Sequence, residues 1–313
     1  MIRWGTVTTS NAPLPEIERF AAWHLEAGAH RIYLYLDHEK TDGFETLSHH
    51  PKLRVIHTDE AWWAKRKGRP DKHQQRQSAN ARHANNRKAE VDWLAHIDTD
   101  EFILPAREGL PNVAEQLAAL PQDCQCARIR PIEALAPGDA NTPQESLFKA
   151  LPADRQLRQS IARACFPQYG AYLAGGFLSH TLGKLFFRPR KGLQIRIHNV
   201  FENGVENPGH CELPGLELGH FHASSWEMFT HSLRYRLARG SYRAELKSAI
   251  RQPGALNLHD VLNMIEETDG LPGLRAFFNE TCVADQPLCA RLEAHGILRR
   301  HVMALETLRA TYF

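Results

Sequence analysis

Two aspartates one residue apart, followed directly by a glutamate, form the group in this chain best suited to chemistry: Asp98-Thr99-Asp100-Glu101. Carboxylate oxygens are hard ligands, and two of them leave most positions around Mg²⁺ or Mn²⁺ open for substrate phosphates. A cation held there neutralises a departing diphosphate. At strand spacing, residues two apart point the same way, so Asp98 and Asp100 are expected to converge while Thr99 turns away. Glu101 either reaches the cation through water or holds the loop. A solvated acidic turn is the plainer alternative. Against it stand the flanking apolar segments, Trp93–Ile97 before and Phe102-Ile103-Leu104 after, which hold the acids near the protein body.

A site of this kind needs a scaffold that brings it to an open edge. In open parallel sheets ligands gather at the carboxyl ends of strands, and Trp93–Ile97 reads as an apolar strand that runs into the acids. Strand and helix alternate ahead of it. Trp4–Thr8 is β-rich, Asn11–Pro15 is a turn, and Ile17, Phe20, Ala21, His24, Leu25 and Gly28 follow helical spacing. Ile32–Leu36 and Leu53–His57 read as strands, and Gln74–Glu90 as a polar helix. This order predicts a parallel sheet with helices against its faces. Beyond Pro105 come a helix at Val113–Leu120 and a strand at Ala127–Ile132. A loop holding Pro137, Gly138, Pro143 and Pro152 follows, then strands at Lys184–Arg188, Leu193–His198 and Leu216–Phe221. From Ser225 onward the pattern is helical: Trp226–Leu237, Leu258–Thr268, Leu274–Asn279 and Leu288–Leu308. The expected organisation is a domain over residues 1–224 with a helical region, 225–313, packed on it.

The chain has 313 residues, 42% hydrophobic and 24% charged, enough for a substantial core and unlike a disordered sequence. A formal charge of +2 gives no general basic field, which argues against a nucleic-acid partner. Nine Lys or Arg residues against one acid, Asp71, do fall between Lys65 and Lys88. They read as a loop and helix that meet an anionic nucleotide diphosphate, with Arg76 and Asn80 one helical turn apart on one face. Lys184 and Arg188 are further cations for phosphate or acceptor. No apolar run approaches the ~20 residues of a membrane span, and the start of the chain lacks signal-peptide character. The expected location is the cytoplasm, with peripheral association at the inner membrane as a variant. The six cysteines lack paired zinc spacing and are expected to be reduced and mostly buried.

The segment Trp93-Leu94-Ala95-His96-Ile97-Asp98-Thr99-Asp100-Glu101-Phe102 resembles the metal-binding signature of GT-A-fold glycosyltransferases of the family 2 type, close to their family-92 relatives. Arg19–Tyr35 resembles their first helix and second strand, and Arg76-Gln77-Ser78-Ala79-Asn80 their polar helix. The match covers about the first 105 residues and then continues as islands at Gly183–Pro189, Ile197-His198-Asn199 and Gly219–Glu227. His38–Gly43 follows the family's Asn-x-Ser-x-Asp-Gly pattern only loosely.

The resemblance implies a Rossmann-like α/β mixed sheet flanked by helices, with a helical C-terminal region. It implies a transferase that uses Mn²⁺ or Mg²⁺ and a nucleotide sugar, UDP-linked, to glycosylate a hydroxyl of a carbohydrate or glycoconjugate. Thr8 and Asp37 would flank the nucleotide base, with Arg76, Asn80, Asp98 and Lys184 also on the nucleotide side. Asp98, Asp100 and His220 would hold the metal, with His222 as substitute for His220. Inversion at the anomeric carbon needs a base, for which Glu133 comes first, then Asp139 and Glu202. A nucleotidyl- or phosphotransferase is the alternative enzyme, but Gly183-Lys184 lacks the upstream glycine of a phosphate loop. A non-catalytic scaffold is the remaining alternative, against which stands the intact Asp-x-Asp.

Overall fold

The structure is a computed structural model and describes residues 1–38, 43–87, 90–142, 144–238 and 258–313. Glu39–Asp42 of the loosely matching segment, Lys88 of the basic stretch and Pro143 of the loop lie outside the described residues. In chain order come β1 (Trp4–Ser10), α1 (Leu14–Glu26), β2 (Arg31–Leu36), α2 (Glu45–His49), β3 (Leu53–His57), α3 (Glu60–Ala64) and α4 (His73–Asn86). Then follow β4 (Trp93–His96), β5 (Glu101–Pro105), α5 (Val113–Ala118), β6 (Cys126–Ala134), β7 (Glu145–Ala150), α6 (Arg158–Cys165) and β8 (Lys184–Phe187). The small strands β9 (Gln194–Ile195), β10 (Val200–Glu202) and β11 (Val205–Glu206) precede β12 (His210–His220) and α7 (Trp226–Ala238). The chain closes with α8 (Leu258–Cys282), α9 (Gln286–Ala294), β13 (Leu298–Val302) and α10 (Leu305–Tyr312).

Two compact units result. One holds Met1–Pro131, Leu182–Gly219 and Ala304–Phe313; the other holds Ile132–Thr181 and His220–Met303. This partition by contact differs from the partition by composition at 224/225.

The first unit is a mixed sheet. β3, β2, β1 and β4 run parallel, and β8 then pairs antiparallel with both β4 and the first half of β6. Side chains alternate between the two faces as the pleat requires. Trp4, Ile32, Leu34, Trp93 and Ala95 meet Phe20, Ala21 and Leu25 of α1 on one face. Val7, Tyr33, Tyr35 and Leu94 meet Ala81 and Ala84 of α4 on the other. Each large apolar side chain buried in this way contributes about 1.5–3 kcal/mol. α10 returns to α1, where Arg309 reaches Glu18 at 3.1 Å and the Tyr312 hydroxyl donates to Glu26 at 2.8 Å.

α4 is unusual for a helix laid on a sheet. Its buried stripe, Gln77, Asn80, Ala81, Ala84 and Asn85, has helical spacing but is mostly polar. Hydrogen bonds therefore seat it: Asn80 Nδ2 donates to Thr9 Oγ1 at 3.0 Å, and Asn85 Nδ2 to the Arg190 carbonyl at 2.8 Å.

In the second unit, Ile132–Ala134 of β6 pairs antiparallel with β7, and β7 with β13. Phe229, Phe277, Phe278 and Trp226 pack ring against ring between α7 and α8. The expected helix over Leu288–Leu308 is corrected here. α9 stops before Gly296, whose φ of 67° suits glycine, and Leu298–Val302 then pairs with Glu145–Lys149 as a strand. Leu288 and Leu292 are at helical spacing within α9, and beyond Gly296 the partner strand β7 decides the outcome. The helices expected at Leu258–Thr268 and Leu274–Asn279 both fall in α8, separated by Gly270 with φ 59°. The strand expected at Leu193–His198 is only Gln194–Ile195. No disulfide joins the described cysteines, and all but Cys211 are buried. Among the described residues no helix is long and apolar enough to cross a membrane.

A buried ion pair joins β6 and β7 in the second unit. Lys149 Nζ lies 3.0 Å from Glu133 Oε1, with both side chains almost fully enclosed, and also donates to the Thr281 carbonyl at 2.8 Å. Glu133 accepts in addition from the Leu178 and Ser179 amides at 3.1 and 2.7 Å. Burial alone would raise the Glu133 pKa; Lys149 and these donors override it and hold the carboxyl far below its ordinary value of 4.5. A depressed carboxylate pKa stabilises the fold above the unfolded value, and that stability is lost as pH falls toward the folded value. Glu133→Gln leaves Lys149 without its counter-charge and is expected to cost about 3–5 kcal/mol at pH 7. Urea denaturation of both proteins checks this, and the gap should narrow steadily as the pH is lowered below 4.5.

Candidate functional site

β4 ends at His96, and the acids that follow form a turn rather than an extended strand. The alternation expected for Asp98 and Asp100 therefore does not apply. The turn is closed by the Glu101 amide on the Asp98 carbonyl at 3.1 Å. The Glu101 carboxylate reaches back to accept the Asp98 amide at 2.8 Å. Thr99 Oγ1 lies 3.3 Å from Ser10 Oγ at the end of β1, which ties the turn to the neighbouring strand.

Lys184, the first residue of β8, is completely buried beneath this turn. Its ammonium lies 2.7 Å from Asp98 Oδ2 and 2.8 Å from Glu101 Oε2. β8 lies between β6 and β4, with Lys184 in register with Ile129, so the side chain starts at the sheet edge where β4 stops. Gly183 makes this approach possible: its φ is 74°, and a Cβ there would lie 2.0 Å from the Ile129 carbonyl oxygen. Gln77 of α4 completes the shell by donating to Asp98 Oδ1. Burial alone would raise the Asp98 pKa, but the Lys184 charge prevails and holds it below the usual carboxylate range. Burial would lower the Lys184 pKa, and Asp98 and Glu101 together raise it instead. His96, buried close by, is lowered to about 4, first by burial and then by the Lys184 charge, so it is neutral at pH 7.

Whether the turn suits a divalent cation is a question of donors and access. Asp98 offers two hard carboxylate oxygens, one engaged by Lys184 and the other by Gln77, and such an oxygen has lone pairs beyond one contact. The Asp98 side chain is 30% exposed, so it is reachable from solvent. These oxygens are of the kind a hard divalent cation takes, with an ammonium already beside one of them.

A cleft of about 910 Å³ opens at the carboxyl ends of β1, β2 and β3, lined by Asn11, Asp37, Thr58, Trp63 and Arg69 among others. Asn11 follows the Ser10 that meets Thr99, so cleft and acidic turn share the end of β1. Asp37 forms part of its wall, with its carboxylate almost fully enclosed. It accepts from Arg69 at 2.9 Å, Arg76 at 2.7 Å and Thr58 at 3.2 Å. Arg76 also holds the Pro70 and Asp71 carbonyls at 2.9 and 2.8 Å, which pins the basic loop to Asp37. His73 lies 3.9 Å from Asp37; burial lowers its pKa, and the Asp98 charge is the strongest influence raising it.

Of the residues expected from sequence, Asp37 and Arg76 meet directly, as do Asp98 and Lys184. Asn80 anchors α4 to β1 instead of facing the cleft. β1 runs on to Ser10, so Thr8 is buried inside the strand, opposite Leu34, and not at its end. Lys184 faces the carboxylates rather than open solvent. Arg188 covers the Trp93 ring at 4.3 Å and donates to the Cys124 carbonyl. Asp100 is half-buried in the turn. Glu202 is paired with Arg190 at 2.7 Å. In the second unit, Glu133 is engaged by Lys149, which makes it a weak proton acceptor, and the exposed Asp139 accepts the Gln286 amide at 2.9 Å at the start of α9. His220 ends β12 in that unit, its ring 5.2 Å from His180 and 5.1 Å from His222. Gln77, Arg69 and His73 were not singled out from sequence. The polar stripe on α4 was the available signal for Gln77, because a buried polar residue needs a partner.

The family model described as glycosyltransferase family 92 matches residues 14–244. No curated protein matches the chain. Among solved structures it is similar to HddC from Yersinia pseudotuberculosis, at 11% identity and a TM-score of 0.28, covering 47% of this chain and 67% of that one. It is also similar to glucosyl-3-phosphoglycerate synthase from Mycobacterium tuberculosis, solved with Mn²⁺, UDP and glucosyl-3-phosphoglycerate. There the identity is 11% and the TM-score 0.29, covering 60% of this chain and 57% of that one. The galactosyltransferase LgtC, solved with donor and acceptor sugar analogues, gives 10% and 0.28, covering 60% and 58%. Likenesses this distant leave the family match, which spans most of the chain, as the basis of assignment. The chain belongs to glycosyltransferase family 92.

Proposed function

We propose that this glycosyltransferase takes a sugar from a UDP-linked donor and passes it, with inversion, to a hydroxyl of a glycan or glycoconjugate. The observation that supports this most is the joining of two features at the end of β1. The cleft walled by Asp37 has the size of a nucleotide site, and the carboxylate turn beside it suits a divalent cation. In this reading the cleft receives the base and ribose, with the Asp37 carboxylate as acceptor for their N–H and O–H groups. Arg69, half-exposed on the cleft wall, meets the diphosphate. Asp98 and Asp100 hold Mn²⁺ or Mg²⁺, which when bound neutralises charge on the leaving diphosphate. Gln77 and Lys184 keep Asp98 ionised and fixed in one orientation. His220 as a further ligand and Asp139 as base carry over from the sequence motifs. The cytoplasm is the proposed setting, consistent with cysteines that form no disulfide among the described residues.

Replacing Asp98 and Asp100 together by Ala is expected to abolish Mn²⁺-dependent UDP binding and donor hydrolysis in a protein that stays folded. Full activity in the double variant would refute the metal role. Asp37→Ala is expected to weaken UDP about 10- to 100-fold, the loss of one or two charge-assisted contacts. Calorimetry with UDP and Mn²⁺ reads this directly, and unchanged affinity would move the base elsewhere.

A further inference from the structure

Lys184 does more than accompany the acidic turn. Its ammonium lies 2.7 Å from Asp98 Oδ2 and 2.8 Å from Glu101 Oε2, fully enclosed, so it stands beside the very ligand that a divalent cation requires. Gln77 takes the other oxygen of Asp98. A carboxylate so engaged attracts a second cation less than an open one, because the ammonium has already offset its charge and repels the newcomer across a poorly screened distance. A diphosphate bound beside Asp98 would change that balance by bringing its own negative charge to the incoming cation.

We infer that Lys184 acts as a resident cation that makes divalent-metal binding at Asp98 conditional on the nucleotide diphosphate, so that metal and nucleotide enter together. This rests on the nucleotide-sugar reading above. Lys184 is on this account a positioning residue, and its effect is a coupling between two ligands: whatever the nucleotide does for the metal, the metal does equally for the nucleotide.

The test is Mn²⁺ binding, followed by calorimetry and by the electron-spin-resonance signal of the unbound ion, with and without UDP. In the wild-type protein Mn²⁺ alone should bind weakly, and saturating UDP should tighten it at least about tenfold. The variant Lys184→Met/Glu101→Gln removes one positive and one negative charge together, which avoids burying an unpaired ion. In it Mn²⁺ alone should bind about tenfold more tightly, and the tightening by UDP should shrink by a similar factor. A folded double variant, verified by circular dichroism, with unchanged or weaker affinity for Mn²⁺ alone overturns the inference. Equal Mn²⁺ affinity with and without UDP in the wild-type protein overturns it too and needs no variant. If the wild-type protein takes up no Mn²⁺ even with UDP present, the metal-nucleotide reading itself fails, an outcome distinct from both.

Discussion

Lys184 is buried against two acids, and the local architecture of the site follows from the need to keep that ammonium paired. An isolated charge in such an enclosure would be costly enough to disrupt the fold or lose its proton. Asp98 and Glu101 supply the counter-charge, and Glu101 also closes the turn by accepting the Asp98 amide. The turn is therefore held by its own contacts, with Glu101 in two of them. A site that must orient a metal and a leaving group gains from ligands whose position is already fixed.

α4 extends the same logic across the sheet. It brings Gln77 to Asp98, Asn80 to Thr9 and Arg76 to Asp37, so a single helix fixes the acidic turn, the first strand and the cleft wall. A helix seated by apolar side chains alone would take Gln77 from Asp98 and Arg76 from Asp37, leaving Lys184 to the first and Arg69 and Thr58 to the second. The polar residues of this helix thus supply donors to both carboxylates, while apolar clusters lie on both faces of the sheet.

Much of this was legible in the sequence because it is local. The apolar strand running into Asp98, the helical spacing of Phe20 and Leu25 and the strand ending at Asp37 each depend on neighbours along the chain. What was not legible depends on distant partners. Lys184 meets Asp98 across 86 residues, and nothing near Lys184 reveals that β8 slots between β4 and β6. The same holds for β13, whose residues Leu298–Val302 become a strand only because β7 offers an edge. Glu133 shows the same limit: an acid beside a Pro/Gly loop looks unpaired from sequence, and its partner Lys149 lies in another strand.

In the proposed function the Asp98–Glu101 turn holds a divalent cation next to a nucleotide in the cleft at Asp37. Crystals grown with UDP and Mn²⁺, with diffraction collected at the manganese absorption edge, test it most directly. The account requires an anomalous peak within coordination distance of Asp98 and Asp100, about 2.0–2.3 Å, with the diphosphate against it and the base in the cleft. Bound UDP with no peak at those carboxylates, or manganese ligated elsewhere, would contradict it.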